Sequence, residues 1–221
     1  MTDERFARIR EVLDHRQPDL TVLMDNVHKP HNLSAITRTC DAVGIGDVHS
    51  VRTEASLRVW RRGASGTQRW VVQHAHRDAE TACAALSAQG MTLAIADFGP
   101  DARDYRDIDY TVPLALIVGA ELDGLSEAAR ERADVRLTIP MSGMAQSLNV
   151  SVAVALVLFE ARTQRERAGL YDQPRLTPEH YTRLAFEWRH PQIAAHCQRL
   201  NLAYPDMDDG GDIIGEFARG Q

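Results

Sequence analysis

The chain has 221 residues, of which 44% are hydrophobic and 25% charged, with a formal net charge of −6. That is enough for one full α/β core with terminal extensions, and the composition is that of a globular soluble protein. No run approaches the roughly 18 apolar residues that cross a bilayer, and the opening Met1-Thr2-Asp3-Glu4-Arg5-Phe6 lacks the apolar stretch of a signal peptide.

In chain order, residues 4–16 carry Phe6, Ile9 and Val12 or Leu13 at helical spacing and predict a short amphipathic helix. Leu20–Val27 reads as a strand. Asn32–Val43 reads as a helix with Leu33, Ile36, Cys40 and Val43 on one face and Gly44 as its stop. A short strand follows at Val48–Val51. Residues 53–67 have no regular apolar pattern and read as a long loop, which is more often functional than accidental. Then come a strand at Trp70–His74, a helix at Ala79–Ala88 ended by Gly90, and a strand at Thr92–Phe98. After an irregular Arg103–Tyr110 come a buried strand at Leu114–Val118, a helix at Ser126–Arg132 and a strand at Arg136–Ile139. A long helix from Ser147 to about Arg167 is apolar in its first half and polar in its second. The apolar half fits a core or a subunit interface, and the polar half is expected to project. Thr177–Trp188 and Gln192–Leu200 suggest short helices in an appendage. Strands alternating with helices indicate a mostly parallel sheet covered on both faces.

Charge and cysteine usage bound the partners. The negative net charge argues weakly against nucleic acid, but Arg52, Arg58, Arg61, Arg62, Arg69 and Arg77 face only Glu54 within residues 51–77. That basic stretch reads equally as an RNA-facing surface or as solvated charge. Cys40, Cys83 and Cys197 are odd in number and far apart. They suit reduced thiols of a cytoplasmic protein better than a disulfide frame or a metal site.

Three strand-to-helix junctions hold the chemistry. The first is Val27-His-Lys-Pro-His-Asn32, with Asn32 placed to cap a helix that carries Arg38. The second is Val118-Gly119-Ala120-Glu121, followed by Gly124 and the capping Ser126. The third runs from Ile139 through Gly143 to Ser147, Asn149 and Ser151, short polar side chains at a spacing of two. One oxygen suffices to cap a helix, so the surplus suggests a ligand at the carboxyl edge of the sheet. Taken singly, Asn32, Ser147 and Asn149 also read as caps, Arg38 as an exposed helix arginine, and Glu121 as a carboxylate near a helix start. His28 and His31 have no further ligands beside them, so no metal site is expected.

Taken together, Asn32-x5-Arg38-Thr39, Val118-Gly-Ala-Glu121 with Gly124, and Ile139-Pro-Met-x-Gly-Met-x-Gln-Ser-Leu-Asn-Val-Ser151 occur in one order. In this the chain resembles the SpoU branch of the SPOUT RNA methyltransferases. The similarity covers most of residues 5–170. The segments Arg16-Gln-Pro-Asp-Leu and His28-Lys-Pro-His-Asn32 point to the subgroup acting on tRNA. One departure is Leu122, where relatives often carry lysine.

The resemblance implies an α/β fold whose mostly parallel sheet ends in a deep C-terminal trefoil knot. Short helical extensions would occupy residues 1–18 and 169–221 around a SPOUT domain at 19–168. It implies a homodimer and S-adenosylmethionine held by Ala96, Gly119, Ile139 and Leu148. The implied reaction is methyl transfer to the ribose 2′-hydroxyl of guanosine 18 in the tRNA D-loop, with Arg38, Asn32, Glu121, Ser147 and Asn149 as catalytic residues and no metal. Arg8, Arg10, Arg16, His31, Arg165 and Arg167 would bind RNA, with Arg61 and Arg62 added on charge alone. The alternatives are a ribosomal RNA ribose methyltransferase of the same fold and a non-catalytic RNA-binding protein.

Overall fold

The computed structural model describes residues 3–51, 69–120 and 123–215. The predicted loop at 53–67 lies outside them. The chain forms two compact units, residues 17–170 and residues 1–16 together with 171–221.

The larger unit opens with β1 (Leu20–Asp25), α2 (Pro30–Ala42), β2 (Asp47–Val51), β3 (Val72–His76), α3 (Ala79–Ala88) and β4 (Thr92–Ala96). It continues with β5 (Arg103–Asp104), β6 (Leu114–Gly119), α4 (Glu127–Glu131), β7 (Val135–Thr138) and α5 (Val150–Arg167), while α1 (Asp3–Asp14) belongs to the other unit. The seven strands make one sheet in the order β3-β2-β1-β6-β4-β7-β5, and every pairing among them is parallel.

Alternation along the central strands explains the layers. Val22 and Met24 of β1, Leu116 and Val118 of β6 and Ala94 of β4 join Leu33, Ile36 and Cys40 of α2 and Val154, Val157 and Leu158 of α5 in one core. The intervening Leu23, Ala115, Ile117, Leu93 and Ile95 face the other way, against Ala82, Cys83 and Leu86 of α3 and Ala129 of α4. Successive side chains of a strand point to opposite faces, so strands covered on both sides read as continuous apolar runs. Hence β1 is buried at every position.

The order also locates the ligand edge. From β1 the chain moves outward through β2 and β3, then crosses to β4, and β6 inserts between β1 and β4. All carboxyl ends therefore share one edge, with Asp25 beside Gly119 and Ala96 beside Leu137. The crevice at such a reversal is where open α/β sheets bind ligands.

Most predicted elements stand within a few residues. The strand expected at Trp70–His74 runs instead over Val72–His76, because residues 69 and 70 form a tight turn. The long helix starts at Val150, leaving Ser147 in the preceding loop. Its second half does not simply project, since Ala161 and Arg165 are buried.

The smaller unit packs α1 with α6 (Pro178–Arg189) and α7 (Pro191–Leu200), and buries Phe6, Ile9, Leu13, Phe186 and Trp188. Buried Arg189 lies 5.3 Å above the Phe6 ring and donates to Asp212 at 2.8 Å. Gly211 has φ +79, and a Cβ there would meet the Phe6 ring at 2.6 Å.

Candidate active site

At the start of α2 the structure corrects the capping assignment. Lys29 occupies the cap position but its side chain does not cap the helix, Pro30 fills the first turn, and Asn32 lies inside the helix, buried at 1% exposure. Proline suits that position because its missing N–H is one that helix geometry leaves unpaired. The Asn32 side chain is thereby freed from capping, and its Oδ1 accepts from Asn149 Nδ2 at 3.1 Å. Asn149 is itself the cap of α5. Its Oδ1 accepts from the Ser151 backbone N at 2.9 Å and from Ser151 Oγ at 2.6 Å. The three polar residues therefore divide their work. Asn149 caps the helix and ties the third junction to the first, Ser151 supports it, and Ser147 lines a neighbouring cavity.

That cavity, about 410 Å³, lies at the carboxyl ends of β4, β6 and β7. Ala96, Gly119, Ile139 and Leu148 all line it, together with Val118, Leu125, Leu137, Met141 and Val150. Its size lies within the range of about 300–1,000 Å³ typical of small-ligand pockets. Mostly apolar walls with a few polar groups suit a nucleoside-sized ligand.

Gly119 is required by the backbone. Ala120 and Gly124 pair antiparallel, with bonds of 3.0 and 2.9 Å, which folds the loop straight back over the end of β6. A Cβ on Gly119 would lie 2.3 Å from the carbonyl carbon and oxygen of Gly124. Gly124 has φ +67, a conformation that favours glycine. The loop is anchored by Asp25, fully buried at the end of β1, whose Oδ2 accepts from the Ser126 backbone N at 2.7 Å. Ser126 caps α4 as expected, accepting from Ala129 N.

Glu121 and Leu122 lie outside the described residues, as do Arg61 and Arg62. Arg38 is exposed on α2, and His31 is exposed in its first turn. Among the described residues no cluster of three or more His, Cys, Asp or Glu is arranged to hold a metal. Burial pushes the Cys83 thiol up to about 11, which leaves it a poor nucleophile.

This site has known counterparts. Residues 19–159 match the model of the SpoU rRNA methylase family, and residues 163–216 match that of the SpoU rRNA methylase C-terminal segment. The chain belongs to the SpoU methylase family. It is 51% identical to the tRNA (guanosine(18)-2′-O)-methyltransferase of Thermus thermophilus over 187 residues, covering 85% of this chain and 96% of that one. It is 45% identical to the enzyme of the same name from Escherichia coli over 215 residues, covering 96% and 94%. Among solved structures, the A. aeolicus TrmH/SpoU tRNA modifying enzyme superposes with a TM-score of 0.77 at 37% identity, covering 86% of this chain and 97% of that one. The SpoU methyltransferase AviRb from Streptomyces viridochromogenes, solved with AdoMet, superposes at 0.60 and 28% identity, covering 68% and 59%.

For this SpoU methylase, two expected RNA contacts need correction. Arg165 does not project, and its side chain is wholly buried. Its guanidinium donates to Asp19 Oδ1 at 2.7 Å, the Tyr110 carbonyl at 2.8 Å, the Val112 carbonyl at 3.0 Å and Gln17 Oε1 at 3.0 Å. Burying a guanidinium requires this many acceptors, and a group so engaged is not available to a phosphate. Arg16 is likewise 1% exposed, with its guanidinium 5.3 Å above the Trp188 ring. Arg8, Arg10 and Arg167 are exposed, Arg8 pairing with Glu11 at 2.7 Å.

The sequence reading also missed residues. Asp25 had a signal, a carboxylate closing an apolar strand. Asp97, which follows β4, lines the cavity and pairs with Arg130 and Arg136 at 2.9 and 2.7 Å. No spacing connects those three, because they come from different elements.

Proposed function

We propose that this chain transfers a methyl group from S-adenosylmethionine to the ribose 2′-hydroxyl of guanosine 18 in tRNA. Relatives bearing that activity in their names match at 45–51% identity over most of both chains. The observation that carries the reading is that the cavity is lined by the four expected donor-binding residues and by Ser147, two residues before the Asn149 that bonds Asn32. A donor site and a polar anchor for the acceptor therefore meet at one sheet edge.

When bound, S-adenosylmethionine supplies an electrophilic methyl group on a sulfonium. The protein must align the hydroxyl with it and help remove the proton. A guanidinium has no acceptor atom, so Arg38 acts as a clamp that holds the target phosphate and stabilises developing negative charge on the 2′-oxygen. The proton passes to a phosphate oxygen. Asn32, held by Asn149, positions Arg38 or the ribose, and Ser147 steadies the loop between donor and acceptor. Glu121, three residues before Gly124 in the sequence, orients groups across the site.

The reading includes a trefoil knot in residues 139–170, supported by family membership and by the fold-back over Gly119. It includes a homodimer, supported by Val152, Leu156 and Phe159 on one face of α5, exposed at 47%, 40% and 47%. Residues 19–168 form the catalytic domain, and the two ends, 1–18 and 169–221, are extensions that help bind RNA through Arg8 and Arg10, assisted by His31 and Arg167. The reaction is placed in the cytoplasm with its tRNA substrate. Among the described residues no helix is long and apolar enough to cross a membrane.

The test is transfer of labelled methyl to tRNA transcripts, with the product mapped by mass spectrometry. Methylation lost when guanosine 18 is replaced, and lost in Arg38→Ala, is expected. Transfer to ribosomal RNA alone, or to no RNA, would overturn the assignment.

A further inference from the structure

We propose that Asp97 recognises the nucleoside end of the methyl donor by accepting a hydrogen bond from a ribose hydroxyl, with Arg130 and Arg136 fixing its orientation. This rests on the cavity being the donor site.

The carboxylate lines the cavity and is only 15% exposed. It is held from three directions. Its backbone N donates to the Leu137 carbonyl of β7 at 3.1 Å. Its Oδ2 accepts from Arg130 Nε of α4 at 2.9 Å and from Arg136 Nη1 of β7 at 2.7 Å. Its Oδ1 accepts from the Phe98 backbone N at 3.0 Å, while Arg130 Nη2 reaches it only at 3.5 Å. Each carboxylate oxygen offers two lone-pair sites, so Oδ2 is saturated by two short bonds, while at Oδ1 the 3.5 Å contact from Arg130 is the one a ligand donor can displace.

Electrostatics and topology say which donor. Two guanidinium groups stand against one carboxylate, so a further cation is disfavoured there and a neutral hydroxyl is not. That disfavours the sulfonium and the ammonium of the donor as the partner of Asp97. The strand order separates β4 from β1 by β6, two spacings or about 10 Å. Asn32 follows β1 and bonds Asn149, and Leu148 and Val150, on either side of Asn149 in the chain, line the cavity. With the acceptor on the Asn32–Asn149 side, the methyl end would lie toward that side and the nucleoside, bonded to the sulfur through its C5′, toward Asp97. The nucleoside's neutral donors are the ribose hydroxyls and the adenine amine, and deoxy analogues test the hydroxyls.

The experiment is calorimetric binding of S-adenosylhomocysteine and its 2′-deoxy and 3′-deoxy analogues to the full chain and to Asp97→Asn. The wild type should prefer the parent over one deoxy analogue by roughly tenfold or more, as a bond to a charged group requires. Asp97→Asn should weaken the parent by about the same factor and leave that analogue little changed. Arg136→Gln, which keeps the carboxylate but loosens its orientation, should reduce the preference without abolishing it. Equal weakening of all three ligands by Asp97→Asn would mean a purely structural role and overturn the inference. So would a wild type that binds both analogues as tightly as the parent, a result independent of how any variant folds. A wild type that binds none of them would overturn the donor-site reading itself.

Discussion

Replacing Arg165 with alanine separates a structural arginine from an RNA contact. The guanidinium joins residues 17–19, ahead of β1, to residues 110–112, ahead of β6, through donations to Gln17, Asp19, Tyr110 and Val112. Those segments launch the two central strands, which pair along their whole length. Removing one partner of a buried ion pair costs about 3–5 kcal/mol, because the other is left desolvated. Counting the lost bonds at roughly 1–1.5 kcal/mol each reaches the same range. Asp19, at 18% exposure, recovers some solvation, which favours the lower half of it. For a chain of this size 1 kcal/mol shifts Tm by roughly 2–4 °C, so a fall of about 6–16 °C is expected by scanning calorimetry. Affinity for tRNA, measured by filter binding well below both transitions, should change little. A Tm within about 2 °C of the wild type, with clearly weakened tRNA binding, would refute the reasoning and return Arg165 to the surface.

Other outcomes follow from the same geometry. Asn32→Ala should remove an acceptor of the Asn149 amide; Asn149 is exposed, so water can take its place and stability should fall by only about 0.5–1.5 kcal/mol. Single-turnover methyl transfer should fall roughly tenfold or more while donor binding, followed by calorimetry, changes less. Gly119→Ala should abolish donor binding, since its Cβ cannot sit 2.3 Å from the Gly124 carbonyl without moving the loop; retained affinity would contradict that. Asp in place of Leu156 and Phe159 should shift sedimentation to the monomer. For pH, burial, and then the charges of His74 and His76, push His49 down from 6.5 to about 4, whereas Asp47 raises His74. For His49 the unfolded chain binds more protons between those values, so stability falls as pH drops from about 6.5 toward 4, by on the order of 1–2 kcal/mol between pH 7 and 5. The raised His74 has the opposite sign, its contribution being lost as pH rises through its folded pKa. Urea unfolding of His49→Gln should therefore show a shallower loss toward pH 5 than the wild type.

The sequence by itself determined the alternating α/β order, the covered strands and the three junctions at one sheet edge. Those signals are local. Apolar runs mark β1 and β6, turn residues mark the junctions, and Ser126 caps its helix through an amide three residues on. The resemblance to the SpoU family, rather than any local signal, singled out Ala96, Gly119, Ile139 and Leu148, which share one cavity. Only the tertiary structure decided what the polar residues do. Asn32 looked like a cap until the fold set Asn149, distant in sequence, against it. Arg165 sat on the polar half of a helix, where charge suggests exposure, yet the fold surrounds it with acceptors from residues 17–19 and 110–112. Asp97, Arg130 and Arg136 come from three elements that meet only when β4 and β7 pair. Periodicity and capping report on bonds within a turn or two of the chain, whereas the partner of a buried polar group is set by which strands become neighbours.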